Sequence, residues 1–337
     1  MGFPPFPATL TTLPFKPLWI SLLNTASPNA PVSKIGIAAA LVTVLLWTSW
    51  ITGSRFAVSG DHPLDPALLA LIRFGTAAIV LAPFWWKVGV FPRGRSPWVL
   101  AGLMLAGLPY QFLVLWGLSL APASEAGPLL TGSLPFFVVA LALIARESVG
   151  RARLIGVGLI SIGVLAITAS SLLDASSGSW RGHLLVLSAA LSWSVYTVAF
   201  RHSGLTAPQA AACVSFWSVL LLMPFSATRM AAELPHIPLA VLGHQVLLQG
   251  LMAGVLSLVT YTTAVRHLGA GRATAITALT PATAIIAAGA LLGEWPVPSQ
   301  WLGAGLIVLG VLLASGVVGQ RLMRARPAPG RAAPNAD

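Results

Sequence analysis

Residues 147–165 read ESVGRARLIGVGLISIGVL, and residues 294–310 read EWPVPSQWLGAGLIVLG. Each stretch begins with a glutamate and continues in the pattern E-x8-G-x-G-x4-G. The glycines are Gly156, Gly158 and Gly163 in the first copy, and Gly303, Gly305 and Gly310 in the second. Because this spaced pattern occurs twice in one chain, it indicates an internal duplication.

Other residues extend the duplication outward from these two stretches. Three pairs of identical residues are separated by 146 positions: Trp47 and Trp193, Arg55 and Arg201, and Pro135 and Pro281. One residue inserted before the second glutamate accounts for the offset of 147 at that point. The two copies therefore occupy roughly 34–173 and 181–321, which is most of the chain.

Composition places the chain in a membrane. Its 337 residues are 56% hydrophobic and only 8% charged, and the mean hydropathy is +0.86, whereas about 25% of the residues in a soluble domain are charged. The formal net charge is +11, but the 19 basic residues are spread along the whole chain. Nucleic-acid binders instead gather their basic residues on one face. The composition thus predicts a polytopic membrane protein that contacts the lipid bilayer and no nucleic acid.

Apolar stretches of about 20 residues alternate with short polar breaks between Lys34 and Arg321. A helix of that length crosses a hydrocarbon core of about 30 Å. Ten spans are expected: 35–56, 66–86, 97–119, 126–145, 153–173, 183–201, 207–227, 243–265, 271–293 and 300–321. The segment 1–33 holds seven prolines and 322–337 is basic and rich in proline and alanine, so both are expected to be disordered.

The basic residues also predict the orientation. With the N-terminus inside, 15 of the 19 lysines and arginines fall on the inner side, three on the outer side and one, Arg73, within a span. This bias follows the positive-inside rule, so both termini are expected in the cytoplasm and the chain in the cell (inner) membrane. Because each copy holds an odd number of spans, the second copy must cross the membrane in the opposite sense. The predicted fold is an all-α bundle of ten transmembrane helices in two inverted five-helix repeats, which is typical of secondary transporters.

The paired halves resemble the EamA-type transporters of the drug/metabolite transporter superfamily. The stretches that carry the resemblance are LLWTSWITGSRFAV (45–58), LIRFG (71–75), ESVGRARLIGVGLISIGVL (147–165), LSWSVYTVAFRH (191–202) and GEWPVPSQWLGAGLIVLGVLL (293–313). The resemblance covers 34–321 and implies ten helices, cytoplasmic termini and alternating access around a central cavity. Members of the family export amino acids, other metabolites or drugs, or move sugars, so a small-molecule substrate of unspecified class is implied.

Three prolines mark expected helix breaks. Pro109, Pro135 and Pro281 lie near the middle of spans three, four and nine, where a proline removes a backbone hydrogen bond and kinks the helix. In transporters such breaks often border the substrate site near the midplane, and a kink that serves packing alone is the alternative. The polar residues beside the breaks are Tyr110, Gln111, Thr131, Ser133, Thr277 and Thr280.

The predicted substrate-binding residues are Trp47, Arg73, Tyr110, Gln111, Trp193, Tyr196, Tyr261 and Thr280. Arg73 is the one ionisable residue well inside a span, and an arginine at that depth costs at least about 2.5 kcal/mol and often has a role. The alternative is a structural arginine, bonded to helix-end carbonyls or extended to the interface. The aromatic residues, with Trp50 and Trp116 as further candidates, would line a cavity; an interfacial belt is the alternative for each.

The titratable residues do not indicate a proton relay, a metal site or a catalytic site. None of the eight carboxylates lies mid-span, so a buried carboxylate proton relay is not expected. Glu125, near the mouth of span four, is the best remaining candidate for such a role, although a loop charge is the favoured interpretation. Glu147 and Glu294 are expected to orient the helices that follow them. The six histidines lie near span ends without metal-ligand spacing, and the single Cys213 allows no intramolecular disulfide. No catalytic residue, metal or cofactor is predicted.

Small residues explain close helix packing. The glycine stripes of the duplication and the G-x-x-x-G motifs at 250–254 and 289–293 allow backbones to approach. The sequence leaves two uses open for these glycines, namely packing within the chain and formation of a homodimer.

The leading function is a secondary transporter that exports a small metabolite, either amino-acid-like or amphipathic and drug-like. The sequence has no P-loop and its only lysines are Lys16, Lys34 and Lys87, which excludes an ATP-driven pump component and a retinal-type pump. A membrane enzyme would need a nucleophile–base pair, a metal cluster or paired carboxylates, and the sequence offers none of them. A passive channel or facilitator is the main alternative, although charged rings and a filter-like loop are missing from the sequence.

Overall fold

The computed structural model describes residues 33–60, 63–90, 92, 94, 96–173, 176 and 178–315, which fold into helices joined by short connections. The segments expected to be disordered, 1–33 and 322–337, lie outside the described residues except for Ser33. The hydroxyl of Ser33 accepts a hydrogen bond from the backbone nitrogen of Gly36 at 3.3 Å, which caps the first helix.

The helices are numbered here in chain order. They are α1 (Lys34–Ser59), α2 (Pro66–Val80), α3 (Ala82–Val88), α4 (Pro97–Met104), α5 (Leu108–Leu120), α6 (Ala123–Gly132), α7 (Leu134–Ile144), α8 (Arg151–Leu173), α9 (Ser179–Ser203), α10 (Ala207–Glu233), α11 (Leu239–Gln245), α12 (Ser257–Leu268), α13 (Ala270–Thr277), α14 (Thr280–Leu292) and α15 (Pro298–Ala314). A 3-10 turn, Leu234–His236, precedes α11, and a π-helix, Val246–Leu256, joins α11 to α12.

Eight helical segments among the described residues are long and apolar enough to cross a membrane. They are Lys34–Ser59, Pro97–Leu120, Ala123–Ile144, Arg151–Ala169, Ser179–Ser203, Ala207–Thr228, Leu239–Leu268 and Arg272–Leu292. Two shorter apolar helices, Pro66–Val80 and Pro298–Ala314, accompany them. The protein is therefore an all-helical, multi-pass membrane protein.

The second expected span, 66–86, is not one continuous helix. It is divided at Leu81 into α2 and α3, and Pro83 occupies the first turn of α3. Since proline has no backbone N–H to donate to the preceding turn, it starts a helix more readily than it continues one. No break was expected within this span, and the division at Leu81 is a finding of the structure.

Three longer segments are interrupted near their middle, each just before a proline. The segment Pro97–Leu120 breaks between α4 and α5, Ala123–Ile144 breaks at Ser133, and Arg272–Leu292 breaks between α13 and α14. Pro109, Pro135 and Pro281 each occupy the first turn of the helix after the break. The prolines therefore start new helices rather than continue the preceding ones.

Helices α8 and α15 pack through their backbones. A Cβ placed on Gly163 would lie 2.5 Å from the carbonyl oxygen of Gly303, and one on Gly303 would lie 2.7 Å from that of Gly163. Gly156 and Gly310 approach each other in the same way, with 2.6 Å in both directions. These four glycines are used inside the chain, because no other residue fits so close a contact.

The other glycine motifs differ in use. A Cβ placed on Gly158 or Gly305, the middle members of the two stripes, would meet nothing within 4 Å, whereas one on Gly250 would meet Thr76 and one on Gly254 would meet Ala77. The G-x-x-x-G motif at 250–254 therefore also packs within the chain. Homodimerisation stays a prediction of the sequence.

Polar contacts tie one end of the bundle together, which we call the Glu294 end after one of its members. Glu125, in the first turn of α6, accepts hydrogen bonds from His183 Nε2 and Gln300 Nε2, both at 2.6 Å. Glu294 accepts one from the backbone nitrogen of Ala123 at 2.6 Å. The starts of α6, α9 and α15 and the end of α14 therefore meet here.

One sequence expectation fails at the Glu294 end. Glu125 was expected to be a loop charge, but it lies in a helix and is only 9% exposed. A buried carboxylate is stable only when donors surround it, and here the donors come from helices distant in sequence. His183, which lies near a span end as expected, is 2% exposed. Glu294 was expected to orient the helix that follows it, whereas its described contacts are with Arg55 and with the backbone nitrogen of Ala123 at the start of α6.

Candidate functional site

Aromatic rings from both halves of the chain form a continuous stack in the middle of the bundle. Ring centroids are separated by 6.1 Å between Trp50 and Tyr110, and by 4.9 Å between Tyr110 and Trp193. The stack continues from Trp193 to Tyr196 at 5.1 Å and from Tyr196 to Phe200 at 6.0 Å. We call these five residues the aromatic column. Its members come from α1 and α5 of the first half and from α9 of the second.

The column begins deep in the bundle. Trp50 lies nine residues before the end of α1, and Tyr110 lies ten residues before the end of α5. At about 1.5 Å of rise per residue, both rings are roughly 14 Å below the Glu294 end. In a hydrocarbon core of about 30 Å, this depth is close to the midplane.

Trp50 is held in place by a buried hydrogen-bond chain. Its indole Nε1 donates to Gln249 Oε1 at 2.8 Å, and Gln249 Nε2 donates to the hydroxyl of Ser54 at 2.9 Å. Both donor groups are satisfied, and all three residues are buried. A side chain fixed in this way is preorganised, so it loses little further freedom when another group contacts it.

Gln249 belongs to the π-helix Val246–Leu256. Short π-helical segments are rare and occur frequently at functional sites. This one packs against α2, with Gly250 against Thr76 and Gly254 near the backbone of Arg73. The wider turn thus brings an amide side chain to Trp50 and backbone to Arg73.

Arg73 places a positive charge against the column. Its guanidinium carbon lies 4.7 Å from the centroid of the Trp50 ring, a cation–π contact. Nη1 is buried and has no hydrogen-bond partner. Among the described residues, no carboxylate forms an ion pair with Arg73. The guanidinium is therefore a buried donor with unused capacity.

Gln111, the residue after Tyr110, is fully buried, and neither its amide nitrogen nor its amide oxygen has a partner. Gln245 Oε1 is also buried and unpartnered. Buried polar atoms are nearly always paired, so each exception requires an explanation. For Gln111, which adjoins the aromatic column at Tyr110, a polar group supplied from outside the chain fits a site on a transport path.

The remaining predicted residues lie apart from the column. Trp47 contacts Tyr261, with ring centroids 5.6 Å apart, so these two form a second aromatic pair between α1 and α12. Thr280 is fully buried, and its hydroxyl donates to the carbonyl of Thr277 at 2.8 Å. The structure thus groups Arg73, Tyr110, Trp193 and Tyr196 with Trp50. Thr280 has a local partner already.

A separate apolar cleft of about 540 Å³ lies between α2, α5 and α10. Its walls include Leu108, Phe112 and Trp116, which share one face of α5, and Asp65 at the start of α2. Trp116, named as a further cavity residue, is 49% exposed. No member of the aromatic column lines this cleft. Tyr110 lies two residues from Leu108 and from Phe112, a turn of about 200°, and therefore on the opposite face of α5.

Sequence reasoning gave Trp50 only as a further candidate and missed Gln249 and Ser54. The available signal was a glutamine inside an apolar span, because an amide at that depth needs a partner. Which partner it takes depends on helix rotation, which one sequence does not give. Among the described residues, no group of three or more His, Cys, Asp or Glu side chains could hold a metal ion.

Comparisons with known proteins agree with this architecture. The EamA-like transporter family matches residues 34–169 and again 180–316. A probable terminal-alkyne amino-acid exporter of Streptantibioticus cattleyicolor is 29% identical over 87% of this chain and 97% of its own length. A probable amino-acid metabolite efflux pump of Salmonella typhimurium is 29% identical over 85% and 95%.

A solved crystal structure has a similar fold. It superposes with a TM-score of 0.53 at 22% identity, and the match covers 85% of this chain and 98% of the other.

Proposed function

Because the chain belongs to the EamA-like transporter family, it is a transporter of small metabolites, and we propose that it exports amino-acid-like solutes by alternating access. The two relatives named above, described as an amino-acid exporter and an amino-acid metabolite efflux pump, support this substrate class. The observation that carries the proposal is the aromatic column, since both halves of the chain contribute to it at mid-depth. A site shared by two halves changes shape when one half moves against the other.

The proposed architecture has ten transmembrane spans in two inverted repeats of five, 34–173 and 181–321. The two shorter apolar helices, Pro66–Val80 and Pro298–Ala314, would complete the ten. Support for an inverted relation comes from α8 and α15. The repeat relates Gly156 to Gly303 and Gly163 to Gly310. Replacing each glycine of the Gly156–Gly310 contact by its repeat-related residue gives the Gly303–Gly163 contact, and both contacts are present. A two-fold axis between the helices has this property.

The proposed location is the cell (inner) membrane with both termini in the cytoplasm. The excess of lysine and arginine on one side of the ten spans supports it. With this orientation the Glu294 end faces outward, and the connections that carry Arg146, Glu147 and Arg201 face the cytoplasm.

A passive channel is the alternative that the structure weakens. A channel requires a continuous water path across the membrane. In the middle of the bundle, however, the rings of Trp50, Tyr110 and Trp193 lie in contact with one another. Passage along this line requires the rings to move, which is the behaviour of a carrier.

A counterflow assay tests the proposal. The purified protein is reconstituted into proteoliposomes, and the vesicles are preloaded with an unlabelled amino acid, sugar or cationic drug. Entry of the same solute, labelled and added outside, is then measured. Saturable, trans-stimulated flux of an amino acid is expected, and Trp193→Ala should raise its apparent KM. The matched control is Trp98→Ala, because Trp98 is 86% exposed. Flux without saturation or trans-stimulation would identify a channel and overturn the proposal.

A further inference from the structure

Arg73 presents a charge that the described part of the chain does not neutralise. It lies seven residues into α2, about 10 Å from the start of that helix. No carboxylate among the described residues pairs with it, and Nη1 is buried without a partner. An arginine at membrane depth almost always faces the bundle interior and pairs with another group. The pairing group is therefore to be sought outside the described chain.

The surroundings of Arg73 fit one kind of partner. The guanidinium carbon lies 4.7 Å from the centroid of the Trp50 ring, so this ring covers one side of the group, while Nη1 has no hydrogen-bond partner. A guanidinium can bind a carboxylate through two parallel donors. Next to this point stand the rings of Trp50 and Tyr110, which offer an apolar surface. A carboxylate with an attached apolar group fits both features.

We infer that Arg73 binds the carboxylate of the exported solute while the aromatic column contacts its apolar part. This inference rests on the proposed export function and narrows its substrate class. The solute is a zwitterion or an anion with a carboxylate; a cationic amphipathic drug is excluded, because its charge would meet that of Arg73. Gln249 supports the site by fixing Trp50, and the π-helix that carries Gln249 packs against α2 beside Arg73.

The Glu294 end contains the alternative partners for an arginine, and they are occupied. Glu125 accepts from His183 and Gln300, and Glu294 accepts from Ala123. Both carboxylates therefore have donors of their own. This leaves Arg73, whose Nη1 is buried and without a partner, as a cation available to a solute.

The test compares acids with their amides in counterflow by the full-length protein. Apolar L-amino acids, such as leucine and phenylalanine, are paired with their own carboxamides, which keep the side chain and lose the carboxylate. The wild type should prefer each acid by at least about tenfold in inhibitory concentration, the scale of a lost charge-assisted hydrogen bond. Arg73→Gln should remove this preference, and Arg73→Lys should keep it at weaker affinity. Arg181→Gln is the control, since Arg181 is exposed and lies over Trp180.

The outcomes separate the two proposals. If the wild type carries amides or cationic drugs as well as acids, the carboxylate site is wrong and the carrier function stands. The same conclusion follows if Arg73→Gln keeps the preference for acids. If Arg73→Gln does not fold, the acid–amide ratios of the wild type and of Arg73→Lys still decide the matter. If no probe shows saturable counterflow, the proposed function fails and the carboxylate site fails with it.

Discussion

Arg55 and Glu294 are 239 positions apart in sequence and form an ion pair, with Arg55 Nε 2.7 Å from Glu294 Oε1. Arg55 Nη1 also donates to the carbonyl oxygen of Leu118 at 2.6 Å. The pair joins the end of α1 to the ends of α5 and α14. The repeat-related residues, Arg201 and Glu147, are both exposed, and no ion pair joins them. The bundle is thus tied by charge at one end and not at the corresponding position of the other.

Glu294→Gln should loosen the Glu294 end. A pair of this exposure is worth up to about 1 kcal/mol, so access to the residues behind it should rise by up to about fivefold. The measurement is the maleimide labelling rate of Ala126→Cys in a Cys213→Ser background, because Ala126 is 1% exposed. Glu147→Gln is the matched control at the exposed position of the other repeat. Equal labelling rates in the two variants would show that the Arg55–Glu294 ion pair does not restrict access to position 126.

Glu125→Gln should destabilise the protein. Glu125 accepts from two donors, His183 and Gln300, and an amide at this position can no longer accept from both. The donor left without a partner is buried, which costs about 1–3 kcal/mol. Reversible denaturant unfolding in micelles measures the loss, with Glu147→Gln again as the exposed carboxylate for comparison. A free energy of unfolding equal to that of the wild type would contradict the role given to Glu125.

Gly163→Ala should weaken the contact of α8 with α15, while Gly158→Ala should not. The new Cβ at 163 would meet the carbonyl oxygen of Gly303 at 2.5 Å, whereas position 158 has open space. Forcing the helices apart costs about 1–3 kcal/mol. Replacing an exposed helical glycine by alanine gains up to about 1 kcal/mol. Thermal unfolding should therefore order the proteins as Gly158→Ala, wild type, Gly163→Ala, and the reverse order would refute the close backbone contact.

Gln249→Leu should weaken substrate affinity, and Gln245→Leu should have little effect. The first change leaves the Trp50 indole N–H without its acceptor. The Trp50 ring, which contacts the Arg73 guanidinium, is then no longer held in one orientation. The second removes an oxygen that already lacks a partner, which is neutral or stabilising. The apparent KM of counterflow should rise several-fold in the first variant. If both variants keep the wild-type KM, the support of Trp50 by Gln249 is irrelevant to transport.

Two single cysteines in a Cys213→Ser background test the orientation. Ser119→Cys lies at the Glu294 end and Ser148→Cys on the opposite connection, and both serines are exposed. An impermeant maleimide added to intact cells should label position 119 and should reach position 148 only after permeabilisation. The opposite result would invert the proposed topology.

Much of the fold follows from one-dimensional features of the sequence. Apolar length predicted the membrane helices, and the glycines of the duplication marked a close contact. Three prolines lie where helices begin anew. These features are read from single residues or short windows, but their effect still depends on the surroundings, since Pro128 and Pro224 lie inside helices and Gly158 makes no close contact.

The polar pairs of the bundle could not be predicted from the sequence. His183 and Glu125 are 58 positions apart, and Trp50 and Gln249 are 199 apart. Each pairing depends on how far neighbouring helices rotate and slide, and a displacement of one residue turns a side chain by about 100°. The π-helix over Val246–Leu256 had no recognisable composition either. The members of the site therefore became clear only from the packing of the helices. Trp50 contacts Tyr110, whereas Trp47 contacts Tyr261.

The contact between α8 and α15 has a consequence for how this chain can change over generations. Gly163 is confined by the carbonyl of Gly303, and Gly303 by the carbonyl of Gly163, so neither position can accept a larger residue unless its counterpart retreats. The residue at each of these positions therefore limits which residues its counterpart in the other copy can be. Even if the two halves of a duplicated gene diverged elsewhere, a glycine would be retained on both sides of this contact. That mutual restraint accounts for the match of Gly156 and Gly163 with Gly303 and Gly310, whereas Gly158 and Gly305 meet open space and are not restrained in this way.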